Sequence, residues 1–343
     1  MKGLLLFFIL FGAFATIGNN DDAMPSVNEP EVIEQQVVDP EPEPEPEETF
    51  VYGNKDYLVT VESAEAMREE NISPAYVKDG LIYTYGNEWG EGGYYTVLSA
   101  TDLNTGLQVG EDVVFEDDTD YLDLFFAYPV EGGYVGLGEC WEGEASVYYF
   151  VKYAEDGTIV SKKSLKDVYK MEKAGYFISE AYCDGSYIYV PYQKYDFTNY
   201  TGGVLLFDTN FKFIKEISDK EAVRLALGSD NLMYMLDENE ETLSVYDTSQ
   251  KSFNILIDSI PFSFYIYPGY AGKILFGYED IYSYDIESGD YTKLFNFNDL
   301  GLKVDMLDFM FEDADGVITV IYETFNADDF SSEGKFIASI TKR

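Results

Sequence analysis

Asp184-Gly185-Ser186-Tyr187-Ile188-Tyr189 joins two turn residues to a short strand. Asp-Gly supplies a tight turn, and Tyr and Ile favour extended backbone. Five other segments repeat this pattern at intervals of about 40–53 residues, and they begin at Asp79, Gly132, Asp230, Ala271 and Asp315. A period of this length is typical of a propeller in which every repeat is one four-stranded blade.

A second landmark, a strand followed by a polar hairpin turn and another strand, follows most copies of the first. It occurs at 98–109, 150–165, 205–217, 244–256 and 282–295. Each unit therefore contains an inner strand a, a turn, strand b, a loop, strand c, a hairpin and an outer strand d. The pattern predicts an all-β fold, a six-bladed β-propeller of four-stranded antiparallel blades. The alternative, a pair of β-sandwiches, leaves the repeat unexplained.

The sixth unit provides strands a, b and c but no strand d. A spare strand, Tyr57-Leu58-Val59-Thr60-Val61, lies near the N-terminus. Placed as strand d of the last blade, it would close the ring and remove two exposed sheet edges.

The N-terminal residues have the composition of a targeting segment and a linker. Lys2, a short apolar run and Ala13-Phe14-Ala15 predict a signal peptide over 1–18. An uncleaved membrane anchor is the alternative, although the apolar run is shorter than the ~20 residues that span a bilayer. Residues 19–53 hold a Pro-Glu repeat and predict an acidic, disordered linker, which leaves 54–343 as the propeller. We therefore expect an extracytoplasmic protein, secreted or associated with the cell envelope, that touches the membrane only if the N-terminal segment is uncleaved.

The charge and the missing histidine exclude several classes of function. The net charge is −42, and residues 51–343 still carry 53 acids against 21 bases. Such a surface repels nucleic acid, which we do not expect as a partner. A chain with no histidine cannot use a Ser-His-Asp or Cys-His mechanism or a histidine-ligated zinc.

Two hairpin turns carry a family resemblance. DLNTG (102–106) and DIESG (285–289) resemble the D-x-x-T/S-G turns of bacterial quinoprotein-like and YVTN-type propellers. The chain is also similar, more generally, to acidic, Tyr-rich propellers of secreted envelope proteins. The resemblance implies a six-bladed bacterial envelope propeller. The quinoprotein repeat has a tryptophan shortly after its turn, and no turn here is followed by one, so a quinone cofactor is not expected.

The loops between strands b and c are long in blades 6, 1, 2 and 3, which are contiguous in a closed ring. These loops share one face and carry both tryptophans of the chain. Aromatic side chains beside Glu and Asn are typical of a surface that binds sugars or peptides, although they also pack simply onto blade tops. The predicted ligand-binding residues are Trp89, Trp141, Tyr192, Tyr195, Phe197, Tyr200, Phe325 and Phe330.

The sequence thus predicts a monomeric, non-enzymatic binding module for a glycan, a peptide or an envelope protein. A carboxylate-based glycoside hydrolase or lyase is the main alternative, and a structural spacer or a sensor domain of a solute-uptake system is another. No cofactor is expected. Calcium is a weak candidate, because acidic runs such as 312–315 are better explained as turns. Cys140 and Cys183 lie at strand ends on opposite faces, so we expect two thiols.

Overall fold

The computed structural model describes residues 50–64, 73–78, 81–90, 93–102, 107–115, 122–142, 145–169, 176–178, 180–195, 200–219, 223–327 and 331–343. These residues form the predicted all-β fold, a six-bladed propeller of antiparallel blades. The predicted signal peptide and residues 19–49 of the predicted linker lie outside this range. None of the helices among the described residues has the length and apolar character needed to cross a membrane.

The blades follow one another in chain order, after two N-terminal strands, β1 (Phe50–Gly53) and β2 (Tyr57–Ser63). Blade 1 contains β3 (Ser73–Lys78), β4 (Leu81–Gly90), β5 (Gly93–Asp102) and β6 (Val113–Phe115). Blade 2 contains β7 (Asp123–Val130), β8 (Gly133–Glu142), β9 (Ala145–Tyr153) and β10 (Ile159–Ser164), followed by the short helix α1 (Leu165–Val168). Blade 3 contains β11 (Tyr176–Phe177) and β12 (Tyr182–Cys183), which form an interrupted inner strand, then β13 (Tyr187–Tyr195), β14 (Tyr200–Asp208) and β15 (Phe213–Ser218).

The second half of the ring has the same order. Blade 4 contains β16 (Val223–Leu227), β17 (Met233–Asp237), β18 (Thr242–Asp247) and β19 (Ser252–Ile257). Blade 5 contains β20 (Tyr265–Pro268), β21 (Lys273–Gly277), β22 (Asp280–Asp285) and β23 (Tyr291–Asn296), followed by a 3-10 turn at Asn298–Leu300. Blade 6 contains β24 (Met306–Glu312), β25 (Ile318–Phe325) and β26 (Ser332–Lys342).

The ring closes as the sequence predicts. Strand β2 pairs antiparallel with β26 and takes the place of strand d in blade 6, with Val59 opposite Ile340. Val59 is fully buried in the core between blades 5 and 6. Strand β1 then adds a fifth strand outside β2. Since Phe50–Gly53 falls within the predicted linker, the ordered propeller begins at least four residues earlier than the predicted boundary at 54.

Aromatic side chains fill the spaces between neighbouring blades. Phe150 of blade 2 packs against Phe207 and Phe211 of blade 3, with ring centroids 4.8 and 5.0 Å apart. All three rings are buried. Burying a Phe side chain stabilises a fold by roughly 1.5–3 kcal/mol, so such contacts can hold adjacent blades together.

Many of the acidic residues build turns. Asp184 Oδ1 accepts the backbone N–H groups of Ser186 and Tyr187, and its Oδ2 accepts the Tyr189 hydroxyl at 2.8 Å. Asp230 and Tyr234 repeat this arrangement in blade 4, again at 2.8 Å. The repeated Asp is therefore a turn former, and part of the negative charge serves the fold rather than a ligand.

Two other predicted features can be located. Asp313, in one of the acidic runs considered for calcium, accepts the N–H groups of Asp315 and Val317 and so closes its own turn. Within the described ranges, the Asp, Glu and Cys side chains nowhere converge in threes as a metal site would require. Cys140 and Cys183 are both buried and are not joined by a disulfide, as predicted.

Candidate functional site

The inner strands of all six blades surround a cavity of about 580 Å³ on the propeller axis, here called the hub cavity. This size is within the range of small-molecule sites in proteins. Its walls are formed by residues 76, 85, 123–126, 128, 180–183, 224–227, 264–268 and 306–309. Strand a of each blade starts at the face that carries the b–c loops, so the charged residues near these starts lie toward that face.

The carboxylate of Glu180 lies in the wall of this cavity. Its Oε2 accepts the Tyr182 hydroxyl at 3.0 Å. Burial raises the pKa of Glu180, and the charge of Arg224 and the Tyr182 hydrogen bond oppose that rise. Burial and the neighbouring Glu180 together raise the pKa of Tyr182 well above its usual value, so this hydroxyl stays protonated and remains a donor.

Arg224, in the wall of the hub cavity, is held by two neighbours. Its Nε lies 3.1 Å from Glu238 Oε1, and its guanidinium lies 4.6 Å from the centroid of the Phe264 ring. An ion pair and a cation–π contact together fix the plane of the guanidinium.

A second ion pair lies at the blade 6 side of the cavity. Lys335, which is buried, lies 2.7 Å from Asp308 Oδ2 and 3.8 Å from Glu323 Oε1. The Tyr267 hydroxyl approaches the backbone carbonyls of Leu307 and Asp308 at 3.3 and 3.1 Å. This side of the cavity is therefore fixed by polar contacts across two blades.

The blade 1 and blade 2 side is formed largely by tyrosines. Tyr76 stacks on Tyr83 with centroids 4.6 Å apart and lies 5.0 Å from Tyr128. Within the described part of the chain, the buried Tyr76 hydroxyl has no hydrogen-bond partner. Such a group is costly to bury and marks a place where a ligand or a water can bond.

Two carboxylates face each other across the strands of blade 2. Asp123, in the cavity wall, is the cross-strand partner of Glu139. Burial and the charge of Asp123 raise the pKa of Glu139. The mouth of the cavity is thus acidic on the blade 2 side as well.

A series of aromatic rings, here called the aromatic ramp, leads from the surface of blade 5 into the hub cavity. It consists of Phe262, Tyr278, Tyr265 and Tyr267, with successive centroids 5.8, 6.2 and 6.4 Å apart. Phe262 is 59% exposed and Tyr278 39%, whereas Tyr265 and Tyr267 line the cavity. The last three rings are nearly parallel, at 15° and 16°.

The ramp was missed by the sequence analysis, which considered aromatic residues in the b–c loops alone. Its signal is present as Pro261-Phe262-Ser263-Phe264-Tyr265, where three aromatic residues lie in and beside the loop between strands d and a. The d–a and b–c loops share a face, so this segment belongs to the same surface as the predicted binding residues.

The predicted b–c loops are β-hairpins rather than loops. Backbone pairing extends to Trp89 opposite Tyr94, Trp141 opposite Ser146 and Tyr195 opposite Tyr200. The paired strands of blades 6, 1, 2 and 3 are longer than those of blades 4 and 5, as the sequence indicates. These hairpins rise from the same face as the ramp of blade 5.

Two of the predicted binding side chains can be described further. Tyr192 is half-buried and its hydroxyl donates to Glu216 Oε1. Phe325 is half-buried, and its backbone N–H donates to Asp305 at 2.7 Å. Phe197 and Phe330 lie outside the described residues. Of the predicted binding residues whose side chains are described, Tyr192 and Phe325, neither lines the hub cavity.

Comparison with known proteins finds no related sequence and only distant structural likeness. No protein-family model and no curated protein matches the sequence. Similar solved structures include the β-propeller domain of the Trilobed protease from Pyrococcus furiosus, at 11% identity and a TM-score of 0.42 over 79% of this chain and 94% of that one. A PQQ-bound aldose sugar dehydrogenase from Streptomyces coelicolor matches at 9% identity and a TM-score of 0.40, over 82% and 98% of the two chains.

An acylaminoacyl peptidase from Pyrococcus horikoshii also matches, at 11% identity and a TM-score of 0.42 over 74% of this chain. The matched part spans about half, 49%, of the peptidase chain. At these identities the likeness concerns the fold alone. The blade topology of the described residues shows that the chain is a six-bladed β-propeller.

Proposed function

We propose that this propeller is an exported, non-enzymatic module that binds an oligosaccharide at the face carrying the b–c hairpins. The observation that carries the proposal is the aromatic ramp, which starts at the exposed Phe262 ring and ends in the hub cavity. A sugar ring has an apolar C–H face and hydroxyl groups at its edge. Tyrosines with nearby carboxylates and an arginine offer both a flat ring and hydrogen-bond partners.

The long hairpins of blades 6, 1, 2 and 3 rise from the same face as the aromatic ramp. They therefore support the proposal that ligands bind at this face. In the proposal they contact the part of a long ligand that lies outside the cavity, through residues such as Trp89 and Trp141. Peptides and envelope proteins would use the same chemistry, and they are separate outcomes of the test.

The test is an array of neutral oligosaccharides and peptides, followed by titration of each hit. Phe262→Ala should weaken oligosaccharide binding at least about tenfold, the loss expected when an aromatic contact worth about 1.4 kcal/mol is removed. Ile255→Ala is the matched control, because Ile255 is also 59% exposed but lies on the outer strand β19. Trp89→Ala and Trp141→Ala test the hairpins separately.

Three results would contradict the proposal. Oligosaccharide binding that is unchanged by Phe262→Ala places the ligand elsewhere on the protein. Hits confined to peptides show that the ligand is a peptide and not an oligosaccharide. Release of shortened sugars during incubation identifies the carboxylate-based hydrolase instead.

A further inference from the structure

Among the residues that the structure describes, the charges in and around the hub cavity do not balance. Three carboxylates, Asp123, Glu180 and Asp308, line the wall, and the basic side chain in that wall is Arg224. Arg224 is paired with Glu238, and the nearby Lys335 is paired with Asp308. Both cations are therefore already neutralised by carboxylates other than Glu180.

Within the described part of the chain, Glu180 is consequently a cavity carboxylate that no lysine or arginine pairs. Among the described residues, no lysine or arginine nitrogen lies within the 4.0 Å of an ion pair from its oxygens. Its stabilisation comes from the Tyr182 hydroxyl, which donates to one oxygen, and from the more distant charge of Arg224. A half-buried carboxylate in this state is costly, so a cation brought by a ligand would gain more here than at the exposed surface.

The surroundings of Glu180 fit an organic cation better than a metal ion. Calcium takes six to eight oxygen ligands, and the wall beside Glu180 consists mainly of rings, including Tyr182, Tyr265 and Tyr267. Aromatic faces attract ammonium groups. The Tyr76 hydroxyl, which has no hydrogen-bond partner among the described residues, is an independent sign that the cavity is built to receive a polar ligand.

We infer that the ligand is an amino sugar oligomer, whose ammonium group donates hydrogen bonds to the Glu180 carboxylate inside the hub cavity. This inference rests on the proposed function, because it names the group that the oligosaccharide presents at the end of the aromatic ramp. An N-acetylated sugar would leave Glu180 without a counter-ion and is expected to bind more weakly.

The test compares the glucosamine tetramer with the N-acetylglucosamine tetramer by calorimetric titration, in a buffer in which the amines are charged. We expect the charged tetramer to bind at least about tenfold more tightly, since the acetylated tetramer cannot pair a cation with the Glu180 carboxylate. Glu180→Gln should abolish this preference and leave the acetylated tetramer within about twofold of its wild-type affinity, while Glu180→Asp, which keeps the charge, should retain the preference.

Glu287→Gln is the control, since it removes the same charge from an exposed turn on the other face. Thermal unfolding verifies that each variant is folded. Equal affinity for the two tetramers, or a preference that survives in Glu180→Gln, overturns the inference and leaves the proposed function standing. If neither tetramer binds, the inference is overturned as well. The array of neutral oligosaccharides, with the Phe262→Ala variant, then tests the proposed function independently.

Discussion

The Tyr182 hydroxyl donates a hydrogen bond to Oε2 of Glu180, 3.0 Å away, in the wall of the hub cavity. This bond lowers the pKa of Glu180, against the larger raising effect of burial. Tyr182→Phe should therefore raise the pKa of Glu180 further and lower the free energy of unfolding by about 1–3 kcal/mol at neutral pH. Carboxyl NMR titration and denaturant unfolding measure the two effects. Tyr270→Phe, on a ring that is 49% exposed, should change neither.

Glu180 should also make the stability of the protein depend on pH. Its pKa is raised in the folded state, so the folded protein binds the proton more tightly than the unfolded chain does. The contribution of Glu180 to stability therefore increases as the pH falls from neutral through its folded pKa. We expect Glu180→Gln to be more stable than the wild type at neutral pH, and this advantage to shrink on acidification. If the stability advantage of Glu180→Gln instead grew at lower pH, the pKa of Glu180 would not be raised in the folded protein.

The exposed turn aspartates should behave in the opposite way. Asp247 Oδ1 accepts the Ser249 hydroxyl and the N–H groups of Ser249 and Gln250, which lowers the pKa of Asp247. Its stabilising effect is present above the unfolded pKa and is lost as the pH falls through the lower, folded value. Ser249→Ala should move the pKa of Asp247 toward the ordinary value in an NMR titration. Asp285, in the corresponding turn of blade 5, is the internal reference and should not move.

Closure of the ring can be tested with two matched valines. Val59 on β2 is fully buried, whereas Val51 on β1 is 66% exposed. We expect Val59→Ala to lower the free energy of unfolding by about 1–3 kcal/mol, because it removes two buried methyl groups and leaves a cavity. Val51→Ala should change it by less than about 0.5 kcal/mol. Equal effects in urea unfolding would show that β2 does not close the core.

Adjacent glycines in the turn of blade 2 offer a further pair. A Cβ at Gly133 would lie 2.0 Å from the Tyr153 carbonyl oxygen, while a Cβ at Gly132 would meet nothing within 4 Å. Both have positive φ, of 144° and 77°. Gly132→Ala should cost about 1–2 kcal/mol from backbone strain. Gly133→Ala should cost clearly more in the same unfolding assay, since the β7–β8 turn must move.

The blade architecture was accessible from sequence because it rests on repeated local chemistry. Asp184 and Asp230 lie at equivalent turns, and each is followed by a tyrosine that bonds back to it. Such contacts span a few residues and recur in blades 3 and 4, so spacing alone reveals them. The closing strand was predictable from the missing fourth strand of blade 6, although β1 was not, since Phe50–Gly53 follows directly on the Pro-Glu repeat.

The candidate site was much less accessible. Glu180, Arg224 and Asp308 belong to blades 3, 4 and 6, and no spacing in the chain predicts that they line one cavity. The part of the cavity wall that blade 3 provides is even more difficult to predict from sequence, because the inner strand of this blade is split into β11 and β12. Glycines around Trp89 indicated a loop, but strand pairing extends as far as Gly90 and Gly93. A glycine-rich stretch can remain in a strand when its partner strand is present.

The pairing of β2 with β26 also fixes the order of events during synthesis. Val59 emerges from the ribosome early, and its partner Ile340 follows about 280 residues later. At roughly 5–20 residues per second, the interval is about 14–56 s. Throughout this time β2 lacks its partner strand β26, and its unpaired edge remains open to other chains. Pairing of β2 with another chain during this interval would block the step that completes the ring.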